Sequence, residues 1–518
     1  MSKNLFKSAG TVSSMTLLSR VSGLVRDIVL AQSVGATLLA DAFFMAFRIP
    51  NFFRRIFGEG AFSVAFVPVL VEFRANRSDP EARAFVDTMA GRLGLALLVL
   101  TAIGIVFAPV ITGIVAPGFR DDPVKFAATV DALRFTFPYL FFISLVAMAA
   151  GVFNSYGRFA VPAVTPVWLN LCIIFAALAF IPVFPNAAVA LAAGVLLAGI
   201  IQLVFQVPFL RRDAVLPRPR LGLGATTEAS AGREGSSRVF RLMAPAVFGT
   251  SVAQINLLVN TVLASFLVTG SVSWLYYSDR LIEFPVGVFG IALATVMLPK
   301  LSEHHVAESM QRFSELLDWG LRFTALIAVP AMVGLIVLAK PLLITMFQYR
   351  AFTAHDAEMA SRSLVAFALG LIGFVMVKVL APGFYARQDT RTPVRVGIIA
   401  MIVNITLCGV LVWPLGHVGL ALAPSIAAIV NAMLLLRTLR RTGVYRPTPG
   451  WSALLLRVAL ASTAMAAVLW WGAGDAAQWS ADSVMVRIGR LILWVSVGVT
   501  VYFLGILSLG LRPWHLRL

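Results

Sequence analysis

DAFFMAFRIPNFFRRIFGEGAF, residues 41–62, has the apolar content of a membrane-spanning helix, yet it carries Asp41, Arg48, Arg54, Arg55 and Glu59. An Arg or Asp at the centre of a spanning helix costs roughly 3 kcal/mol, whereas a Leu or Phe returns only about 0.5 kcal/mol. Five charges cancel most of the apolar gain, so the charged side must face water or partners inside the protein. Asp41, Arg48 and Arg55 are spaced by sevens, close to two helical turns, and share a stripe. Arg55 and Glu59 stand at i,i+4 and are placed to pair. The expectation is a stripe lining a wet, cationic cavity within the bilayer. The competing reading places the Arg54–Arg55 end at headgroup level, with the guanidiniums snorkelling outward.

Composition supports the membrane setting. The chain has 518 residues, 59% hydrophobic and only 13% charged, with mean hydropathy +0.89. Soluble domains carry about 25% charged residues. The net charge of +18 comes from Lys and Arg concentrated in short loops between apolar runs. That is the positive-inside pattern, not a nucleic-acid surface. Cys172 and Cys408 each lie inside an apolar run and read as small buried hydrophobes. His304 and His305 read as solvated loop residues, and the histidines show no metal-ligand spacing. The N-terminal apolar stretch is interrupted by Arg20, Arg26 and Asp27 and reads as a retained first helix.

About fourteen apolar segments of spanning length follow one another. Arginines crowd the connections after segments 2, 6, 10 and 12, while 183–187, 269–272, 414–417 and 473–485 hold almost none, which puts both termini in the cytoplasm. Residues 211–238, rich in Gly, Ser, Ala and Arg, read as a flexible cytoplasmic linker. It divides twelve helices into an N-lobe, 1–210, and a C-lobe, 239–440, with 441–518 as two appended helices.

The lobes look like repeats. Arg48 to Phe57 matches Arg280 to Phe289, each followed by Gly, and Phe153 to Pro162 (FNSYGRFAVP) matches Phe384 to Pro393 (FYARQDTRTP). The offset is 231 or 232 residues in both places. Six helices per repeat make both repeats enter from the same side. The fold class expected is therefore all-α and polytopic, with two six-helix lobes related by a pseudo-two-fold along the membrane normal and a site near the midplane.

Further charges sit where function is expected. Arg20, Arg26 and Asp27 lie on segment 1, Asp279, Arg280 and Glu283 on segment 8, and Lys378 alone on segment 10. For each the plain alternative is an ion pair that joins helices. Arg outnumbers the available acidic partners, and its planar fork suits phosphate, so a pyrophosphate headgroup is the natural match. GEG at Gly58 to Gly60 lacks a phosphate-loop context. Asp121–Asp122 suggests a glycosyltransferase acidic loop only weakly and reads better as solvated carboxylates. Prolines inside segments, such as Pro50, Pro138, Pro166 and Pro285, mark bends.

Four stretches resemble the MurJ (MviN) family of bacterial lipid II flippases, in the multidrug/oligosaccharidyl-lipid/polysaccharide exporter superfamily: Ser13 to Asp27, Ala40 to Pro68, Gly270 to Leu293 and Lys378 to Val394. The resemblance implies a transporter, not an enzyme. It would move undecaprenyl-pyrophosphate-linked disaccharide-pentapeptide (lipid II) from the inner to the outer leaflet of the cytoplasmic membrane, for peptidoglycan synthesis and cell shape. It implies alternating access around a cationic cavity, with the last two helices forming a groove for the polyprenyl tail. Carried over by position, the substrate-binding residues are Arg20, Arg26, Arg54, Arg55 and Arg280. The surrounding charge network is Asp27, Asp41, Arg48, Glu59, Asp279, Glu283 and Lys378. No cofactor or metal is implied; the driving force is a membrane potential or an ion gradient. Segment 7 offers only Gln254, Asn256 and Asn260 to a sodium ion, which counts against sodium coupling. Expected partners are lipid II, membrane lipids and the cell-wall synthesis machinery, with the chain acting as a monomer and binding no nucleic acid. The alternative is an exporter of another lipid-linked oligosaccharide. A drug exporter for organic cations would want acidic walls.

Overall fold

The computed structural model describes residues 2–55, 61–306 and 309–510, setting aside the side chains of 2–13, 61, 246, 248–253, 291–292 and 304–306. Every regular element among these residues is helical. Among the described residues, eleven helical stretches are long and apolar enough to cross a bilayer. The helices Ser2–Val34, Leu38–Phe53, Ala61–Asn76 and Thr227–Ser265 cover further apolar stretches of the sequence.

The first compact unit runs to Gly270. It holds α1 (Ser2–Val34), α2 (Leu38–Phe53), α3 (Ala61–Asn76), α4 (Asp79–Val106), α5 (Ala108–Val115), α6 (Pro123–Ser155), α7 (Ala160–Phe175), α8 (Ala187–Arg212) and α9 (Thr227–Ser265). Helix α6 is its centre, packed against α2, α4 and α8, and its buried face runs through Leu133, Phe137, Tyr139 and Leu140.

The second unit, from Ser271, holds α10 (Ser271–Pro285), α11 (Ile291–Val306), α12 (Met310–Val337), α13 (Ala339–Phe347), α14 (Ala354–Ala368), α15 (Leu371–Tyr385), α16 (Arg391–Leu415), α17 (His417–Arg441), α18 (Trp451–Ala473), α19 (Ala476–Ala481) and α20 (Val484–Ser508). Here α15 packs on α12 and α17, and α18 joins α20 to α12. His304 and His305 fall inside α11, not in a loop.

The internal repeat is written into the backbone. Helix α6 ends with Gly157 at φ +71° and the Arg158 N–H donating to the Phe153 carbonyl at 2.9 Å. Helix α15 ends with Gln388 at φ +59° and the Asp389 N–H donating to the Phe384 carbonyl at 3.0 Å. These are the same left-handed helix stop at an offset of 231 residues. The helical turn also widens at Arg54–Arg55, and again at Val286–Gly290, one repeat later. Wide π turns of this kind bend a helix and are common at functional positions.

The 211–238 stretch is not a flexible linker. Its second half, from Thr227, is the beginning of α9, which packs on α3 and α4. Its first half is strapped to α4: the Arg218 N–H donates to Asp87 Oδ1 at 2.7 Å, and the Arg220 N–H donates to the Asp87 carbonyl at 3.0 Å. Arg92 donates to the Leu221 carbonyl and to Ser236 Oγ, and Arg233 donates to the carbonyls of Gly222 and Gly224. The glycines provide close approach. A Cβ on Gly91 would lie 2.2 Å from the Arg220 oxygen, and one on Gly232 would lie 2.3 Å from Thr88 Oγ1. The contact boundary therefore falls at residue 270, leaving α9 with the first unit.

Candidate functional site

The charges expected to form one stripe separate into buried pairs and accessible groups. Helix α1 carries the first buried pair. Arg26 donates through Nε and Nη2 to Asp27 Oδ1, at 2.9 and 2.7 Å, and through Nη1 to Asn170 Oδ1 at 2.9 Å. Asn170, on α7, donates in turn to the Ser19 carbonyl and to Ser22 Oγ. Arg26 and Asp27 are both buried. This is a charge-assisted staple between α1 and α7. Asp27 is engaged by its neighbour, and Arg20, seven residues earlier, is exposed.

Asp41 forms the second. It sits in the first turn of α2 and is 0% exposed. Its Oδ2 accepts from Lys125 Nζ at 2.9 Å and from the Gly270 N–H at 2.8 Å. Lys125, on α6, is itself buried and lies 4.2 Å above the Phe119 ring. A fully buried carboxylate does not line a wet cavity. Asp41 leaves the expected wall because a cation from another helix neutralises it inside the protein.

The remaining members of the stripe are more open. Arg48 Nη1 donates to Thr261 Oγ1 at 3.1 Å, tying α2 to α9. Arg54 Nε donates to Asn51 Oδ1 at 2.9 Å and is half-buried, and Arg55 is exposed. Glu59 lies outside the described residues, with Gly58 and Gly60. On α10, Asp279 is exposed, and Arg280 donates to Glu283 at 2.6 Å while its guanidinium lies 4.9 Å above the Tyr276 ring. Lys378, on α15, is exposed, with its stem against Gly290. The planar fork of a guanidinium is the side-chain group best matched to an oxyanion.

Three residues absent from the sequence reading matter here. Lys125 and Asn170 complete the two buried pairs. Asp318, on α12, is a hub: its Oδ1 accepts from Tyr445 and from Trp451 Nε1, each at 2.7 Å, and its Oδ2 accepts from Arg322 Nε at 2.7 Å. The hub fixes the connection from α17 to α18. Burial, reinforced by the bond to Asp318, pushes the Tyr445 phenol above its ordinary range. The i,i+4 spacing of Asp318 and Arg322 is the signal that was available. Asp122 caps α6, accepting from the N–H groups of Val124 and Lys125, so it has a local structural task.

Residues 30–488 match the family described as lipid II flippase MurJ. A probable lipid II flippase MurJ from Vibrio cholerae is 45% identical over 519 residues, covering 99% of this chain and 97% of its own length. The chain belongs to the MurJ lipid II flippase family. The lipid II flippase MurJ of Burkholderia cenocepacia is 42% identical over 468 residues, with 90% of each chain covered. A solved structure of a lipid II flippase MurJ in an inward closed conformation superposes with a TM-score of 0.78 at 26% identity, covering 95% of this chain and 97% of that one. An inward-facing multidrug resistance MATE transporter of the MOP superfamily shares the fold at a TM-score of 0.66 and 15% identity, covering 84% and 98%. MurJ proteins are flippases of the bacterial inner membrane and not enzymes, which removes the glycosyltransferase reading of Asp121–Asp122. Cys172 and Cys408 are buried and unbridged, as expected of small hydrophobes.

Proposed function

We propose that this chain carries lipid II from the inner to the outer leaflet of the cytoplasmic membrane by alternating access, and that accessible arginines grip its pyrophosphate and acidic peptide. The observation that carries this is the exposure of guanidinium groups on the helices of a chain 59% hydrophobic, in a family of lipid II flippases. Arg20, Arg54, Arg55 and Arg280 are the binding set. Arg48, Asp279, Glu283, Glu59 and Lys378 adjust it. The pairs Arg26–Asp27 and Asp41–Lys125 hold the helices that present it, so Arg26 moves from binding to positioning.

The lobes proposed are the sequence repeats, each of six helices, with both termini cytoplasmic. Helices α18 and α20 carry the polyprenyl tail; Leu456, Leu460, Ile492 and Leu504 leave a broad apolar surface exposed there. The chain acts as a monomer beside the cell-wall synthesis machinery. An inside-negative membrane potential favours outward movement of an anionic lipid by about 2.3 kcal/mol per charge per 100 mV.

The test is complementation in cells depleted of their own flippase. Arg55→Ala and Arg280→Ala should each insert normally, fail to support growth, and leave lipid II in the inner leaflet. Growth supported by both variants, with lipid II reaching the outer leaflet, overturns the assignment.

A further inference from the structure

Helix α4 marks where the bilayer meets the first unit. Leu95, Leu98, Val99, Ile103 and Val106 lie on one sector of the helix and are 48–68% exposed. On a spanning helix such an apolar sector faces acyl chains. One and two turns back, toward the arginine-rich end, the same sector is Asp87, Thr88, Gly91 and Arg92. There the strap that follows α8 crosses it. The N–H groups of Arg218 and Arg220 donate to Asp87, and Arg92 donates to the Leu221 carbonyl. Gly91 leaves room for the Arg220 carbonyl, and Gly222 lies against Thr88. Fifteen residues separate Gly91 from Val106, about 22 Å of helix. A hydrocarbon core is roughly 30 Å thick. The strap therefore crosses α4 near one edge of the hydrocarbon, on the side that faces lipid.

A non-helical segment at that depth must satisfy its backbone without relying on water. This one does. Besides the two N–H groups given to Asp87, the carbonyls of Leu221, Gly222 and Gly224 accept from Arg92 and Arg233. What the strap turns outward is apolar and cationic. Leu223 is 84% exposed and Leu221 42%. Arg218 and Arg220 are exposed, and their guanidiniums donate to no group among the described residues. Pinning a backbone costs conformational entropy, and a leucine held out into water returns nothing for it. Leucine beside arginine suits the boundary of a bilayer, with the side-chain carbons among acyl chains and the guanidinium at the phosphates. An acidic protein groove would match the same residues, but the place of the strap over the lipid-facing sector of α4 favours the bilayer. We propose that residues 218–223 form an interfacial lipid anchor, in which Leu221 and Leu223 enter the acyl boundary and Arg218 and Arg220 bind anionic headgroups. The inference needs only that the chain spans a bilayer and stands whichever lipid it carries.

The experiment places the environment-sensitive fluorophore NBD on Leu223→Cys in the full chain, in nanodiscs of phosphatidylglycerol and phosphatidylcholine. Cys172 and Cys408 are buried, which keeps background labelling low. The same label on Glu228→Cys, exposed in the first turn of α9, reports water. The Leu223 label should emit to the blue of the Glu228 label and be severalfold less open to aqueous iodide. A phospholipid carrying a nitroxide high on its acyl chain should quench it strongly. Arg218→Gln/Arg220→Gln leaves the backbone contacts of the strap in place and should move the label back toward water, as should nanodiscs of phosphatidylcholine alone. A Leu223 label as open to iodide as the Glu228 label overturns the anchor. So does one shielded from iodide yet untouched by the nitroxide lipid, which would mean that Leu223 packs against protein. Iodide access that ignores both the arginine variant and the loss of phosphatidylglycerol overturns the headgroup contact.

Discussion

A carboxylate in an apolar helix bundle is stabilised either by water in a cavity or by a cation in the protein, and Asp41 takes the second course through Lys125. Lys125→Met would strand a carboxylate that is 0% exposed and, by analogy with other buried pairs, cost about 3–5 kcal/mol. Asp41→Asn strands the ammonium with a similar loss. The Asp41→Asn/Lys125→Met double variant removes both charges and should recover most of that loss, read as thermal unfolding temperature in detergent. Additive losses would mean that the two groups do not act as a pair. The charges on each helix were legible in the sequence, because each costs too much to be incidental in an apolar run. Their directions were not. Asp41 finds its partner 84 residues away and Arg26 reaches Asn170 across 144, so helix packing, not spacing along one helix, decides which charges are spent.

Glycine-rich composition misleads when glycine serves contact and not freedom. The 211–238 stretch reads as a linker by residue type, yet its Gly232, like Gly91 on the helix it crosses, is small because another segment lies within reach of the missing Cβ atom. Gly91→Val would drive side-chain carbons into the Arg220 backbone and should lift the strap from Asp87. Arg220–Leu221 is a trypsin site, whereas Arg218–Pro219 is protected by its proline. Limited trypsin digestion of the detergent-solubilised protein should cut after Arg220 about tenfold faster in Gly91→Val, as expected for local opening of a segment held by about 1–1.5 kcal/mol. An unchanged cleavage rate would mean that the strap does not depend on this approach. The repeat, by contrast, was legible: matched sequence at one offset produces matched helix ends, even though the left-handed stop uses Gly157 in one copy and Gln388 in the other.

Orientation belongs to the whole chain, since the distribution of Lys and Arg among the connections sets it. If the arginine-rich side faces the cytoplasm, Ala225 lies inside and Asp475, in the arginine-poor connection before α19, lies outside. Both are exposed positions. The two native cysteines are buried, so background labelling by a membrane-impermeant maleimide should be low. In intact spheroplasts Asp475→Cys should label readily, while Ala225→Cys should label only after permeabilisation. Orientation fixes the sense of transport physically: the potential acts on the same anionic headgroup in either case, but only this orientation makes the strapped, arginine-rich face the side from which the substrate is loaded. The reverse labelling pattern would invert the loading side and remove the basis for inner-to-outer movement by this chain, whatever its arginines bind.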